Sequence, residues 1–249
     1  VAAADPTRRH RMEYYDVLCL YGMGSDDEAI AGAARLAEKC EDAAVRSDAT
    51  LWLAKFRYNR REWKEASSLF VSFSDQSPKN PFAAEALLWA TRAAMADGDF
   101  AHAIKLASSL VERYPGSKVQ SAALLVQSEA LMELARYDES VLVLERVAIS
   151  ELSDKAQRMR AQMLKADALF AMGADNPARY HAALEGYRQV AFGEQLGPSE
   201  RITVAFRIGR VLEKLKRHSE AVDQYYTQVV LSYIDGRSRN ERYDDEARA

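Results

Sequence analysis

Along this chain the apolar residues recur at helical rather than strand spacing. Ala and Leu abound, and Val and Ile are scattered without the alternation of a half-buried strand. Short polar or glycine-bearing joints interrupt the apolar runs. The clearest joint is Glu112-Arg113-Tyr114-Pro115-Gly116-Ser117-Lys118-Val119-Gln120-Ser121. Pro115 has no amide to donate and pushes Tyr114 out of the helical region. Gly116 permits a reversal and Ser117 is a good N-cap, so one helix stops and another starts within about four residues.

Comparable joints precede a second kind of segment at Gly24–Ile30, Arg60–Ala66, Asp97–Ile104 and Ala135–Val141. The residues that follow the turns, Asp26, Trp63, Phe100 and Tyr137, stand 37 positions apart. Three residues further on is always a small side chain: Ala29, Ala66, Ala103 and Ser140. Tyr180 with Ala183, and His218 with Ala221, continue the relation after steps of 43 and 38. The longer step coincides with a short inserted loop containing Pro177. Pro78 precedes Pro115 by the same 37 residues. A fixed period of this size predicts an array of two-helix units. Small residues at the crossings let the axes approach, and an aromatic wedges the seam. The expected units are 9–45, 47–80, 84–117, 121–152, 154–195 and 199–236, in a single array. Residues 237–249 are expected to begin a truncated or capping helix.

These residues resemble the tetratricopeptide repeat. In the unit at 84–117, Leu87, Gly98, Phe100, Ala103, Leu110 and Pro115 fall where that family's pattern places them. The unit at 47–80 offers Leu53, Ala54, Trp63, Ala66, Phe70 and Pro78, and the last unit Gly209, Leu212, Ala221 and Tyr225. Thr91 and Ser128 replace the usual Gly or Ala, while Gln127 and Lys165 replace an apolar residue, so those last two units are expected to pack less tightly. The resemblance implies an all-α, right-handed superhelical solenoid of about six hairpins. The Tyr-Pro-Gly-Ser joint is similar to that of bacterial extracytoplasmic repeat proteins of the Tol–Pal-associated and outer-membrane-assembly types. It implies a periplasmic or cell-envelope location.

Composition narrows the function classes. An apolar fraction of 48% and a charged fraction of 29% suit a folded chain rather than a disordered one. With 34 basic and 37 acidic residues, the balance argues against a dedicated nucleic-acid surface. No apolar run is long enough to span a membrane. Cys19 and Cys40 would lie at different heights on antiparallel helices, so two buried free thiols are expected rather than a disulfide.

Candidate chemistry is sparse. His10, His102, His181 and His218 include no pair four apart on one helix, and the cysteines lack CxxC spacing, so no metal site is expected. Tyr21-Gly22-Met23-Gly24 reads as a tight interhelical turn, not a phosphate loop. Asp26-Asp27 and Asp244-Asp245 read as carboxylates opposing a helix dipole. The basic cluster Arg57, Arg60, Arg61 and Lys64, like the run Arg8 to Arg11, reads as a solvated helix end paired with neighbouring acids. No catalytic residue and no cofactor are expected.

The resemblance carries one further implication. In such arrays the first helix of each unit lines a concave groove. One expected row is Lys55, Arg92, Glu129, Asp167 and Arg210, positive at both ends and negative in the middle. Beside it lie Leu51, Leu88, Leu125, Met163 and Phe206, and on the other flank Tyr58, Met95, Met132, Phe170 and Glu213. Those apolar rows either pack between neighbouring repeats or line a docking groove for an extended peptide or amphipathic helix. The groove set is Lys55, Tyr58, Asn59, Arg92, Met95, Glu129, Met132, Asp167, Phe170 and Arg210. The row lacks the asparagines of the chaperone-binding carboxylate clamp. The expected function is a non-enzymatic scaffold for a protein or peptide partner, with self-association or a structural spacer role as the alternative.

Overall fold

The computed structural model describes residues 6–193 and 196–238. Among them every regular element is helical. The chain divides into two compact units, Val1–Ala130 and Leu131–Ala249.

The first unit holds α1 (Pro6–Gly22), α2 (Asp26–Lys39), α3 (Ala43–Asn59), α4 (Trp63–Gln76), α5 (Ala83–Ala96) and α6 (Phe100–Arg113), with α7 spanning Gln120–Glu133. From α1 to α6 each helix packs on the next, ending with α5 on α6, and α1 also meets α3. That is the pattern of an iterated hairpin rather than a closed bundle. The second unit holds α8 (Tyr137–Ile149), α9 (Lys155–Ala171), α10 (Ala178–Gly193) and α11 (Pro198–Lys214), then α12 (His218–Asp223). It packs in the same sequential manner. A π-helical stretch, Gln224–Val230, links α12 to α13 (Leu231–Ser238), something the sequence pattern did not foretell. Most of the segment expected to open a seventh unit, from 239 onward, lies outside the described residues.

The period appears in the backbone itself. Helices α2, α4, α6, α8 and α12 begin at Asp26, Trp63, Phe100, Tyr137 and His218, the residues singled out by the turns. All six small residues of the pattern, from Ala29 to Ala221, are buried. Two positions before each of those five starts the backbone enters the left-handed region: Gly24, Arg61, Gly98, Ala135 and Lys216, with φ between 55° and 81°. The hydrogen bonds there are paired. In α5, the amide of Asp99 donates to the carbonyl of Ala94 and that of Gly98 to Met95. The pair recurs as Glu62 to Arg57 with Arg61 to Tyr58, and as Arg136 to Leu131 with Ala135 to Met132. This closes a helix by satisfying its last carbonyls. The unit with the 43-residue step turns differently. A 3-10 turn at Met172–Ala174 follows α9, Asn176 Oδ1 accepts from the Ala178 amide, and Pro177 precedes α10.

Tyr114 in the opening joint is tied to the preceding repeat. Its hydroxyl lies 3.0 Å from that of Ser74, and Arg113 pairs with Asp75 at 2.7 Å while lying over the Tyr114 ring. Gly116 has φ 78°, as the joint required. Ser117 does not cap α7, which starts at Gln120: its carbonyl accepts from the Gln120 amide and its hydroxyl from that of Val119. The extra turn of chain moves the helix start beyond the expected cap.

Three apolar clusters follow the hairpins. Val17, Leu36, Val45 and Leu53 anchor one; Phe70, Phe73, Leu87 and Leu110 another; Leu184, Tyr187, Val190 and Val211 the third. Gln127 is buried, and its amide nitrogen donates to Ser108 at 2.9 Å while its carbonyl oxygen has no hydrogen-bond partner among the described residues. Lys165 stays half-buried and reaches Glu145 at 2.7 Å. Cys40 is buried as expected, but Cys19 is exposed and both thiols are free. The correction has a simple cause: α1 buries Val17 against its neighbours, and Cys19, two residues on, points some 200° around the helix.

Candidate partner-docking face

In the first unit the first helices of the hairpins leave side chains exposed or half-exposed at matching positions. In α3 the side chains left exposed or half-exposed include Asp48, Trp52, Lys55 and Asn59, at i, i+4, i+7 and i+11. In α5 the same positions are Glu85, Trp89, Arg92 and Ala96, each 37 residues later. In α1 they are Arg11, Tyr15, Leu18 and Gly22. The intervening positions are core: Ala49, Leu53 and Ala54 in α3, Ala86, Ala90 and Ala93 in α5.

Of the expected groove set, the first unit therefore presents Lys55 and Asn59 as exposed, and Arg92 and Glu129 as half-exposed. Tyr58 and Met95 are half-buried against the core. The adjoining apolar row is drawn inward here: Leu88 and Leu125 are buried, and Leu51 packs against the same cluster. Packing between repeats, rather than lining a trough, is what those leucines do.

Sequence reasoning overlooked Trp52 and Trp89. Both stand half-exposed in the open row, and a repeated contact fixes them. The Tyr21 ring meets Trp52 edge-on, centroids 5.4 Å apart at 81°. One repeat later Tyr58 meets Trp89 at 5.0 Å and 81°. Phe56 stacks on Trp52 at 5.4 Å, and the Arg92 guanidinium lies 5.1 Å from the Trp89 ring centre. The signal was available, since Tyr15, Trp52 and Trp89 keep the 37-residue step. Period alone does not say which face a residue takes.

Two of the four cations of the basic cluster at the end of α3 are paired locally, while Arg61 and Lys64 stand exposed. Glu62 pairs with both Arg57 and Arg60, and Arg60 also lies 5.7 Å from the Phe56 ring centre. By contrast, neither Lys55 nor Arg92 has an ion-pair partner among the described residues.

In the second unit Met132, Asp167 and Phe170 are half-buried and Arg210 is exposed. Asp167 is a structural tie: Tyr187 donates its hydroxyl to one oxygen at 2.5 Å, and Arg207 donates to the other at 2.9 Å. Burial first, and Asp167 second, hold the Tyr187 phenol well above its ordinary range. Arg210 lies 5.1 Å from the Phe170 ring centre. Phe206 is exposed and leans on Tyr225 at 5.7 Å. Burial and the neighbouring Glu213 push the Tyr225 phenol up to about 12.

Elsewhere, His102 and His218 sit exposed at helix starts, and Asp26 and Asp27 occupy the first turn of α2, where they oppose the dipole. Among the described residues no group of His, Cys, Asp and Glu converges as a metal site would require, and no helix is long and apolar enough to cross a membrane.

Comparison with known proteins agrees with the backbone. Among curated proteins none matches the chain. Several solved structures do. MamA of Desulfovibrio magneticus RS-1, residues 41 to the end, aligns with a TM-score of 0.58 at 16% identity, covering 78% of this chain and 98% of that one. A MamA RS-1 double mutant gives 0.60 at 17%, over 80% and 99%. BtubC from P. vanneervenii gives 0.57 at 13%, over 98% and 95%. At such identities the likeness is one of fold. By sequence, residues 85–117 match the family model described as the tetratricopeptide repeat, and these are the residues of the α5–α6 hairpin and its Tyr-Pro-Gly-Ser joint.

Proposed function

We propose that this protein is a non-enzymatic scaffold that captures a segment of another protein on the open face of its first helices. The observation that carries the reading is the repetition, in α3 and α5, of a fixed indole beside a cation without an acidic partner. Side chains held in place before binding lose little entropy on contact, which favours recognition. The hairpin-repeat fold and the matched repeat at 85–117 support a binding role. A cell-envelope location is also part of this proposal, resting on the Tyr114–Ser117 joint.

The test is capture of a native partner by the wild type and by a charge-swapped variant, Arg92→Glu with Glu129→Arg. Weaker capture with an unchanged circular dichroism spectrum is expected. Undiminished capture would reject this face. Concentration-dependent sedimentation without capture would favour the structural spacer instead.

A further inference from the structure

The open face of the first unit also indicates what kind of segment it takes. This inference rests on the docking reading above and deepens it. Tyr15, Trp52 and Trp89 hold the same register position on α1, α3 and α5, one exposed or half-exposed aromatic per helix. Lys55 and Arg92 form a cationic row beside them, three residues further along each helix and so about 4.5 Å away along the axis. The two indoles are held by the same edge-on tyrosine contact, 5.4 and 5.0 Å, so they present a repeated, rigid surface.

A segment lying across the helices must present a side chain at each helix in turn. Successive first helices touch through the rings, Tyr21 on Trp52 and Tyr58 on Trp89, and helices in contact run about 8–10 Å apart. A polyproline II chain rises about 3.1 Å per residue with three residues per turn, so it returns the same face every 9.3 Å or so. A β-strand covers a similar distance in about three residues but has by then turned its side chain to the opposite face. An α-helix repeats its face at about 10.5 Å, every seventh residue. An acidic amphipathic helix is therefore the competing occupant that the experiment must separate. Proline rings pack well on aromatic side chains fixed in this way. The unpaired Lys55 and Arg92 call for carboxylates in the ligand. On the other flank, Asp48 and Glu85 are exposed and would turn those carboxylates towards the cations.

We propose that this face binds an acidic, proline-rich segment in the polyproline II conformation, with a proline at every third position over the aromatic row and acidic residues over Lys55 and Arg92. The probe is a fluorescein-labelled dodecapeptide of repeating Pro-Asp-Glu, titrated with the full chain and read by anisotropy. Quenching or a shift of tryptophan emission is a second readout, since Trp52 and Trp89 are two of the three tryptophans. Binding is expected, weakened about tenfold by Lys55→Gln with Arg92→Gln and by Trp52→Ala. Lys105→Gln, on α6, is expected to leave it unchanged. Because Trp52→Ala can loosen the fold, the exposed-charge variant stands as the independent test. Equal binding of a repeating Gly-Asp-Glu peptide would overturn the proposal by showing attraction of charge alone. Preference for an acidic amphipathic helical peptide, or no binding by the proline probe, would also overturn it. If the probe fails while native capture still depends on Arg92 and Glu129, the partner chemistry falls and the docking face stands. If both fail, both readings fall.

Discussion

Three of the five left-handed turn residues carry a side chain, and that strain is measurable. Arg61, Ala135 and Lys216 have φ of 61°, 55° and 60°. A Cβ in this region costs about 1–2 kcal/mol. Glycine removes the cost but gives back about 0.4–1 kcal/mol through a freer unfolded chain. Each of Arg61→Gly, Ala135→Gly and Lys216→Gly should therefore stabilise the protein by about 0.5–1 kcal/mol. The sites lie in separate hairpins, so the triple variant should approach the sum, about 2 kcal/mol. The converse change is equally specific. Gly98 has φ 80°, and a Cβ built on it meets no heavy atom within 4 Å. Gly98→Ala thus isolates the backbone term and should cost about 0.5–1 kcal/mol. Urea unfolding followed by far-ultraviolet circular dichroism reads both, as opposite shifts of the midpoint at constant slope. Destabilisation by Ala135→Gly, or a neutral Gly98→Ala, would refute the claim that one turn geometry is repeated at this register.

Further predictions concern buried polar groups. The orphaned carbonyl of Gln127 costs about 1–3 kcal/mol, more than the single bond its amide makes to Ser108. Gln127→Met, of similar volume, should therefore stabilise by about 1 kcal/mol in the same urea assay. Tyr187 has a folded-state pKa raised by burial and by Asp167. Its contribution to stability is fully present below the unfolded phenol value of about 10 and is lost as pH rises through the folded one. The urea midpoint should begin to fall as pH rises past about 10 and keep falling above it, and Tyr187→Phe should flatten that fall.

How much of this was legible in the chain depended on the residue. Pro115 and Gly116 stop a helix by covalent geometry, and Gly24 and Gly98 permit the reversed backbone outright, so their spacing revealed the hairpins. The small residues Ala29, Ala66 and Ala103 could be assigned to helix crossings, because only a small side chain suits a close approach. At Arg61, Ala135 and Lys216 the turn was placed but its left-handed backbone was not legible, since neighbouring hydrogen bonds impose that conformation against local preference. The π-helical Gln224–Val230 has no local signature at all. At the candidate face, charged Lys55 and Arg92 were read from the family's geometry. Trp52 and Trp89 were passed over because an aromatic at helical spacing serves a core or a surface equally well. Which role it takes is decided by the tyrosine of the preceding repeat. Leu88 and Leu125 show the opposite outcome, buried where lining was one of two readings.

In the proposed function the partner meets the first helices of the hairpins, such as α5, and not the second, such as α6. A photo-crosslinking residue placed at position 92 on α5, and separately at position 105 on α6, tests it in the native cell. Docking on the first helices gives one discrete adduct from position 92 that charge reversal at Lys55 abolishes, and none from position 105. The same adduct from position 105, with position 92 silent, would contradict it.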